Sequence, residues 1–158
     1  MESSKQLAHR FRELFLNGSW IANTNYQELL SDINWQQATT KIASLNTIAV
    51  LTFHINYYVE GVLQVLNGGT LDIRDKFSFD APEIESEEDW NRLKSNFFKH
   101  TEAFAKHIEL MSEEQLEATF VDEKYGSYRR NIEGLIEHSY YHFGQLSLIK
   151  KMINEKRT

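Results

Sequence analysis

The sequence predicts an all-α protein, a four-helix bundle with short extra helices and loops. Three observations carry that prediction. Four blocks of the chain repeat apolar residues every three to four positions, the period of an amphipathic helix. One proline (Pro82) and seven glycines leave long stretches without a helix breaker. Hydrophobic residues make up 41% and aromatics 13% of the 158 residues, which fills a core and excludes a disordered chain. Four amphipathic helices joined by loops of moderate length bury their stripes against one another as a bundle.

The first helix is expected over residues 4–17, with Leu7, Phe11, Leu14 and Phe15 on one side and Gly18 as its stop. A short helix near 25–33 carries Tyr26, Leu29, Leu30 and Ile33. The second long helix starts near Ser44 or Asn46, both acceptable N-caps, and runs to Asn67-Gly68-Gly69. Apolar residues ring much of its circumference, from Ile48 and Leu51 through Ile55 and Val59 to Val65, which implies deep burial. Residues 70–85 show no helical period and hold Phe77, Phe79 and Pro82, so they read as an ordered surface loop.

Ser86 opens the third helix, with Asp89 in the place of the usual capping-box glutamate. Its stripe is Trp90, Leu93, Phe97, Phe104, Ile108 and Met111. Ser112 and Gln115 offer a second capping box for a short helix, and Tyr125-Gly126 makes a turn. The fourth long helix is expected from about 131 to 154. There are no internal repeats, and 1–158 is expected to be one domain.

Composition narrows the function. With no cysteine, disulfides, thiolate ligands and a cysteine nucleophile are excluded. A formal net charge of −6 repels a phosphate backbone, so nucleic acid is not an expected partner. Basic residues concentrate only at Arg129-Arg130 and in the tail from Lys150-Lys151 to Lys156-Arg157, where cations complement the helix dipole. The opening Met-Glu-Ser-Ser-Lys-Gln lacks a signal-peptide core and no apolar run reaches spanning length, so a cytoplasmic protein with no membrane contact is expected.

The chemistry concentrates in His138-Ser-Tyr-Tyr-His142, with His54 on the second helix. Residues four apart on a helix lie about 40° apart around the axis and roughly 6 Å along it, so two such imidazoles can grip one ion. A third from another helix leaves positions open for water or substrate. Asn131, Gly134, Leu135, Tyr141, Gln145, Ile149 and Met152 share an arc with His138 and His142, and Thr47, Val50, Leu51, Tyr57, Tyr58, Gly61 and Val65 share one with His54. Both arcs are of interior type, where an imidazole needs a hydrogen bond or a metal. Against a metal stands the ordinary buried histidine bonded to a tyrosine or a carbonyl. The pair lacks the glutamate of a His-Glu-x-x-His helix, and no histidine follows a glutamate by three, which removes the metalloprotease and ferritin-like di-iron readings. His9, His100 and His107 are expected in solvent. Gly61 and Gly134 serve either close helix packing or space for substrate. Tyr57, Tyr58, Tyr141, Asn131 and Gln145 are candidates to orient an imidazole or a bound water.

The segment Ile136-Glu-His138-Ser-Tyr-Tyr-His142-Phe-Gly-Gln145-Leu resembles the last-helix signature of the DinB superfamily, and His54 followed by Asn-Tyr-Tyr resembles that family's first ligand helix. The resemblance implies a DinB/YfiT-like bundle with a tri-histidine site for a divalent ion (Zn, Ni, Fe or Mn), formed by His54, His138 and His142. It also implies a metal-dependent enzyme, a thiol-dependent S-transferase or a hydrolase, with a small thiol as cosubstrate. The Asp or Trp that common relatives carry shortly after the first histidine is missing here, so accessory catalytic groups are not transferred. No residue is assigned as general base. The rival is a noncatalytic helical protein with structural metal or none, acting through a protein partner. Ile136, Tyr140 and Phe143, opposite His138, would then serve a second subunit, and a homodimer is expected on that ground.

Overall fold

The computed structural model of the protein describes residues 3–155. Among them are seven α-helices and no strand beyond an isolated bridge between Thr119 and Ser127. Helix α1 (Ser4–Arg12) begins in a capping box of Ser3 and Gln6 and continues into one π-helical turn, Glu13–Asn17. Together they span the predicted first helix. Asn25 caps α2 (Tyr26–Ser31) by accepting from the Glu28 amide at 2.9 Å.

Helix α3 (Trp35–Thr39) was not expected. It is five residues long, too short to show a period, yet Asn34 and Gln37 form a full capping box at its start. Helix α4 (Ile48–Leu66) is capped by Thr47, not by Ser44 or Asn46. Ser44 lies in the turn with Ala43, whose φ is +48°, and Asn46 just beyond it, and the Thr47 hydroxyl is the one that accepts from the Val50 amide. Ser86 caps α5 (Glu87–Leu110) as predicted, and Ser112 and Gln115 box α6 (Glu113–Glu117). Helix α7 (Tyr128–Glu155) starts three residues earlier than the sequence suggested. A hairpin-like turn delivers the chain there, with Gly126 at φ +72° and the Ser127 hydroxyl accepting from the Arg130 amide at 3.2 Å.

Helix α5 lies against both α1 and α4, and α4 against α7. All seven helices put residues into one apolar core. Its centre is aromatic: Phe11 stacks on Phe104, Phe15 on Tyr26, and Tyr26 meets Phe97 and Phe143. Two polar tips inside it find backbone partners, as burial requires. Trp90 Nε1 donates to the Ile33 carbonyl at 2.7 Å, and the Tyr26 hydroxyl donates to the Ser139 carbonyl at 2.5 Å. Ser139 sits between His138 and His142, so this bond ties the core to the stretch of α7 that carries the histidines.

The side of α7 opposite His138 is covered within the chain. Ile136 and Phe143 are buried, and Tyr140 packs half-buried against the core. Beside Tyr140, Trp20 and Ile21 remain exposed. The buried stripe of α7 runs through Ile132, Ser139, Phe143 and Leu146, which leaves His138 half-buried at its edge and Tyr141 65% exposed. The arc drawn around His138 from the sequence is thus offset from the true interior.

Two members of the basic clusters, Arg129 and Lys150, have partners within the chain. Arg129 is buried and paired with Glu113 (2.7 Å) and Glu117 of α6. Lys150 donates to the Leu29 carbonyl and to Asp32 at the end of α2, so it complements that helix's C-terminus and not its own. Lys156 and Arg157 lie outside the described residues. No helix among the described residues is long and apolar enough to cross a membrane.

Candidate metal centre

Helix α4 supplies His54 and helix α7 supplies His138 and His142, the latter two one turn apart. The structure brings all three together. His138 Nε2 stands 3.2 Å from His54 Nε2 and 3.0 Å from His142 Nε2. Ligand nitrogens on a common ion at about 2.1 Å would be about 3.0 Å apart at right angles and roughly 3.4 Å apart in a tetrahedron. The observed separations fall within that range. His54 and His142 are buried, and His138 is half-buried.

The outer ring nitrogens fix the tautomers. His54 Nδ1 lies 3.1 Å from the Ser78 carbonyl, which can only accept, so Nδ1 carries the proton and Nε2 is bare. His142 Nδ1 likewise donates to Gln145 Oε1 at 2.7 Å and leaves its own Nε2 bare. Two lone pairs thus face His138 Nε2, which has at most one proton to give. At least one of these close nitrogen pairs has no proton between its atoms. A cation at the convergence point resolves the conflict, and three neutral imidazoles are a suitable donor set for a divalent ion.

Charge on the rings is disfavoured. Burial and then the neighbouring His142 and His54 push the His138 pKa down to about 4 from 6.5. His54 and His142 are also lowered, chiefly by burial, with the Ser78 and Gln145 bonds opposing the shift. An imidazole in an unfolded chain takes a proton near 6.5, whereas these folded ones refuse it until lower pH. The linked stability is therefore fully present above 6.5 and lost as pH falls toward about 4. The same competition governs a bound ion, so release is expected well below the pH of about 6 that an ordinary imidazole would give. Metal content measured by elemental analysis after dialysis at stepped pH checks this: retention at pH 6 and loss on approach to pH 4.

The loop 70–85 contributes more than the sequence suggested. A 3₁₀ turn (Asp75–Phe77) presents Ser78 to His54, and Phe79 stacks on the His54 ring at 3.9 Å with the planes 8° apart. Tyr57 pins this loop by bonding both the amide and the carbonyl of Arg74, and the Tyr58 hydroxyl donates to Asp75 at 2.9 Å. Ser78 acts through its carbonyl, which no side-chain pattern reveals. The aromatic pair Phe77 and Phe79 in a loop was the available signal.

The other candidates separate. Gln145 orients His142, and the Tyr58 ring sits edge-on to His54 and His138 at 5.2 Å from each. Asn131 is spent on the start of α7, donating to the Tyr125 and Ser127 carbonyls. Tyr141 touches only the outer edge of His142. His100 and His107 are not solvated as expected. They are half-buried and bridge α5 to α4 through Asn56 (2.9 Å) and Asn67 (2.8 Å). His9 is exposed beside Glu13. Replacing Gln145 by leucine is expected to weaken metal binding by about 10–100-fold, because the His142 ring loses the acceptor that sets its tautomer. Calorimetric titration of zinc into both proteins reads that change.

Fold and site together define an all-helical protein with three histidines that could bind a metal ion. The chain matches no protein-family model, no curated protein and no solved structure.

Proposed function

We propose that the chain is a metal-dependent enzyme, a four-helix bundle of the DinB type, in which His54, His138 and His142 hold one divalent ion. What supports this reading above all is the convergence of three Nε2 atoms while Ser78 and Gln145 hold two of the outer nitrogens. A divalent ion there would act as a Lewis acid, lowering the pKa of a bound water or thiol. That chemistry fits group transfer from a small thiol cosubstrate, or hydrolysis.

The chain's own groups prepare the site for it. Burial keeps the rings neutral, Ser78 and Gln145 hold two of them in the tautomer that bares Nε2, and Phe79 covers one face of His54. His138 also lines an open cleft of ≈ 460 Å³, so one side of the centre faces solvent space. A closed structural site would have no such approach, which favours catalysis over the noncatalytic alternative. Tyr58 holds its proton well, its phenol pKa raised by burial, and so stands at the cleft as a hydrogen-bonding neutral group.

Protein loaded in turn with Zn, Ni, Fe and Mn should be assayed with glutathione and 1-chloro-2,4-dinitrobenzene, and with an activated ester. A rate that disappears on chelation and in His138→Ala supports the proposal. Equal rates with and without metal on both substrates, in protein that does bind metal, favour the noncatalytic reading. A homodimer would have to use surface such as the 83% exposed Trp20, and light scattering at micromolar concentration decides that point.

A further inference from the structure

The cleft beside His138 has a chemistry of its own. It lies between α4 and the start of α7, with Tyr58 and Val62 on one side and Leu135 on the other. Gly134 forms part of its floor. A Cβ built there would meet only Arg130, at 3.6 Å from Nη1, whereas one built at Gly61 would collide with Ile73 at 2.4 Å. Gly61 is thus explained by packing, and Gly134 is not. A glycine in mid-helix costs roughly 0.5–1 kcal/mol relative to alanine, and at Gly134 the fold gains nothing in return except open space. Gly134→Ala should therefore raise stability by about that amount, while Gly61→Ala should lower it, as urea unfolding would read.

The charge of the cleft opposes that of the protein. The chain has 23 acids against 17 bases, yet the cleft is lined by Lys124 and Arg130 and by no carboxylate. Among the acids nearby are Glu137, 3.1 Å from Arg130, Asp122, 4.0 Å from Lys124, and Asp75, which accepts from Tyr58. The Arg130–Glu137 pair is about 60% exposed on both sides (60% and 62%). Such a pair is worth about 0–1 kcal/mol, so the guanidinium is open to exchange for a better acceptor. It lies over the glycine floor, where a planar fork can take a carboxylate through two hydrogen bonds.

We propose that this cleft binds a small organic carboxylate. Its acid group sits on Arg130 with help from Lys124, and its flat or apolar body lies over Gly134 between Tyr58, Val62 and Leu135, with its far end at His138. The proposal rests on the metal reading only for what happens at that far end.

The test uses the full chain, zinc-loaded and chelator-treated, with three isosteric probes: benzoate, benzamide and benzamidine. Backbone amide shifts of Asn131, Gly134 and Leu135 follow binding, and calorimetry follows zinc uptake separately. Benzoate should saturate these shifts with and without zinc, benzamide should bind about tenfold more weakly, and benzamidine should not bind. Arg130→Gln should weaken benzoate about tenfold, and Gly134→Leu should abolish its binding, with zinc uptake and helical content kept in both. Benzamide binding as well as benzoate, or an unchanged Arg130→Gln, overturns the proposal. Benzoate binding only with zinc and indifferent to Arg130 places the anion on the metal, which overturns the proposal and leaves the metal centre standing. Benzoate behaving as expected in a chain that takes no zinc upholds the cleft and removes the metal centre.

Discussion

His138→Ala is expected to weaken divalent-metal binding several hundredfold. Structural zinc sites with four ligands are worth about 10–16 kcal/mol, or roughly 2.5–4 kcal/mol for each ligand, and each 1.4 kcal/mol is about tenfold in affinity. His138 is the informative position because its Nε2 lies within 3.2 Å of both other rings. It is also half-buried at the edge of the α7 stripe, so truncation leaves no large core cavity. Circular dichroism should stay helical while zinc titration loses its tight phase. His54→Ala should lose zinc as well, but it also leaves Phe79 without the ring on which it stacks. A drop in stability there would not bear on the metal. An unchanged affinity in His138→Ala would remove that residue from the ligand set.

Tyr26→Ala is expected to cost about 3–5 kcal/mol, the range for truncating a large buried aromatic, and total stabilities of domains lie near 5–15 kcal/mol. Tyr26 is fully buried and touches Phe15, Phe97 and Phe143, rings drawn from three different parts of the chain. Its hydroxyl reaches the Ser139 carbonyl, so removing it also leaves an acceptor exposed to a cavity one residue from His138. Tyr26→Phe separates the two effects. It keeps the packing, loses the one hydrogen bond, and should cost only about 1 kcal/mol in urea unfolding.

How much of this was readable beforehand depends on the scale of the interaction. The long helices follow from their own apolar periods, and the caps at Ser86 and Ser112 from side chains that bond to nearby amides. The convergence of His54 with His138 and His142 was inferable because each lay on an interior type of arc, even though the arc around His138 was displaced from the true core. Helix α3 escaped because five residues cannot establish a period, although Asn34 and Gln37 carried its capping signal. The contribution of Ser78 escaped for a different reason. A carbonyl acts without regard to its side chain, and its position is set by a loop that Tyr57 and Tyr58 anchor from another element. His100 and His107 were misplaced for the same cause, since their asparagine partners come from another part of the chain, Asn56 on α4 and Asn67 just past its end. The sequence also could not show that Phe143, on the apolar side of α7, packs against Tyr26 within the chain.

X-ray absorption at the metal edge, on protein purified without chelator and reloaded with one equivalent of zinc, addresses the centre most directly. Three imidazoles with zinc–nitrogen distances of about 2.0–2.1 Å, at close to one ion per chain, are the predicted result. A spectrum fitted by oxygen ligands alone, or a chain that holds no stoichiometric zinc near neutral pH, would contradict a metal centre built from His54, His138 and His142.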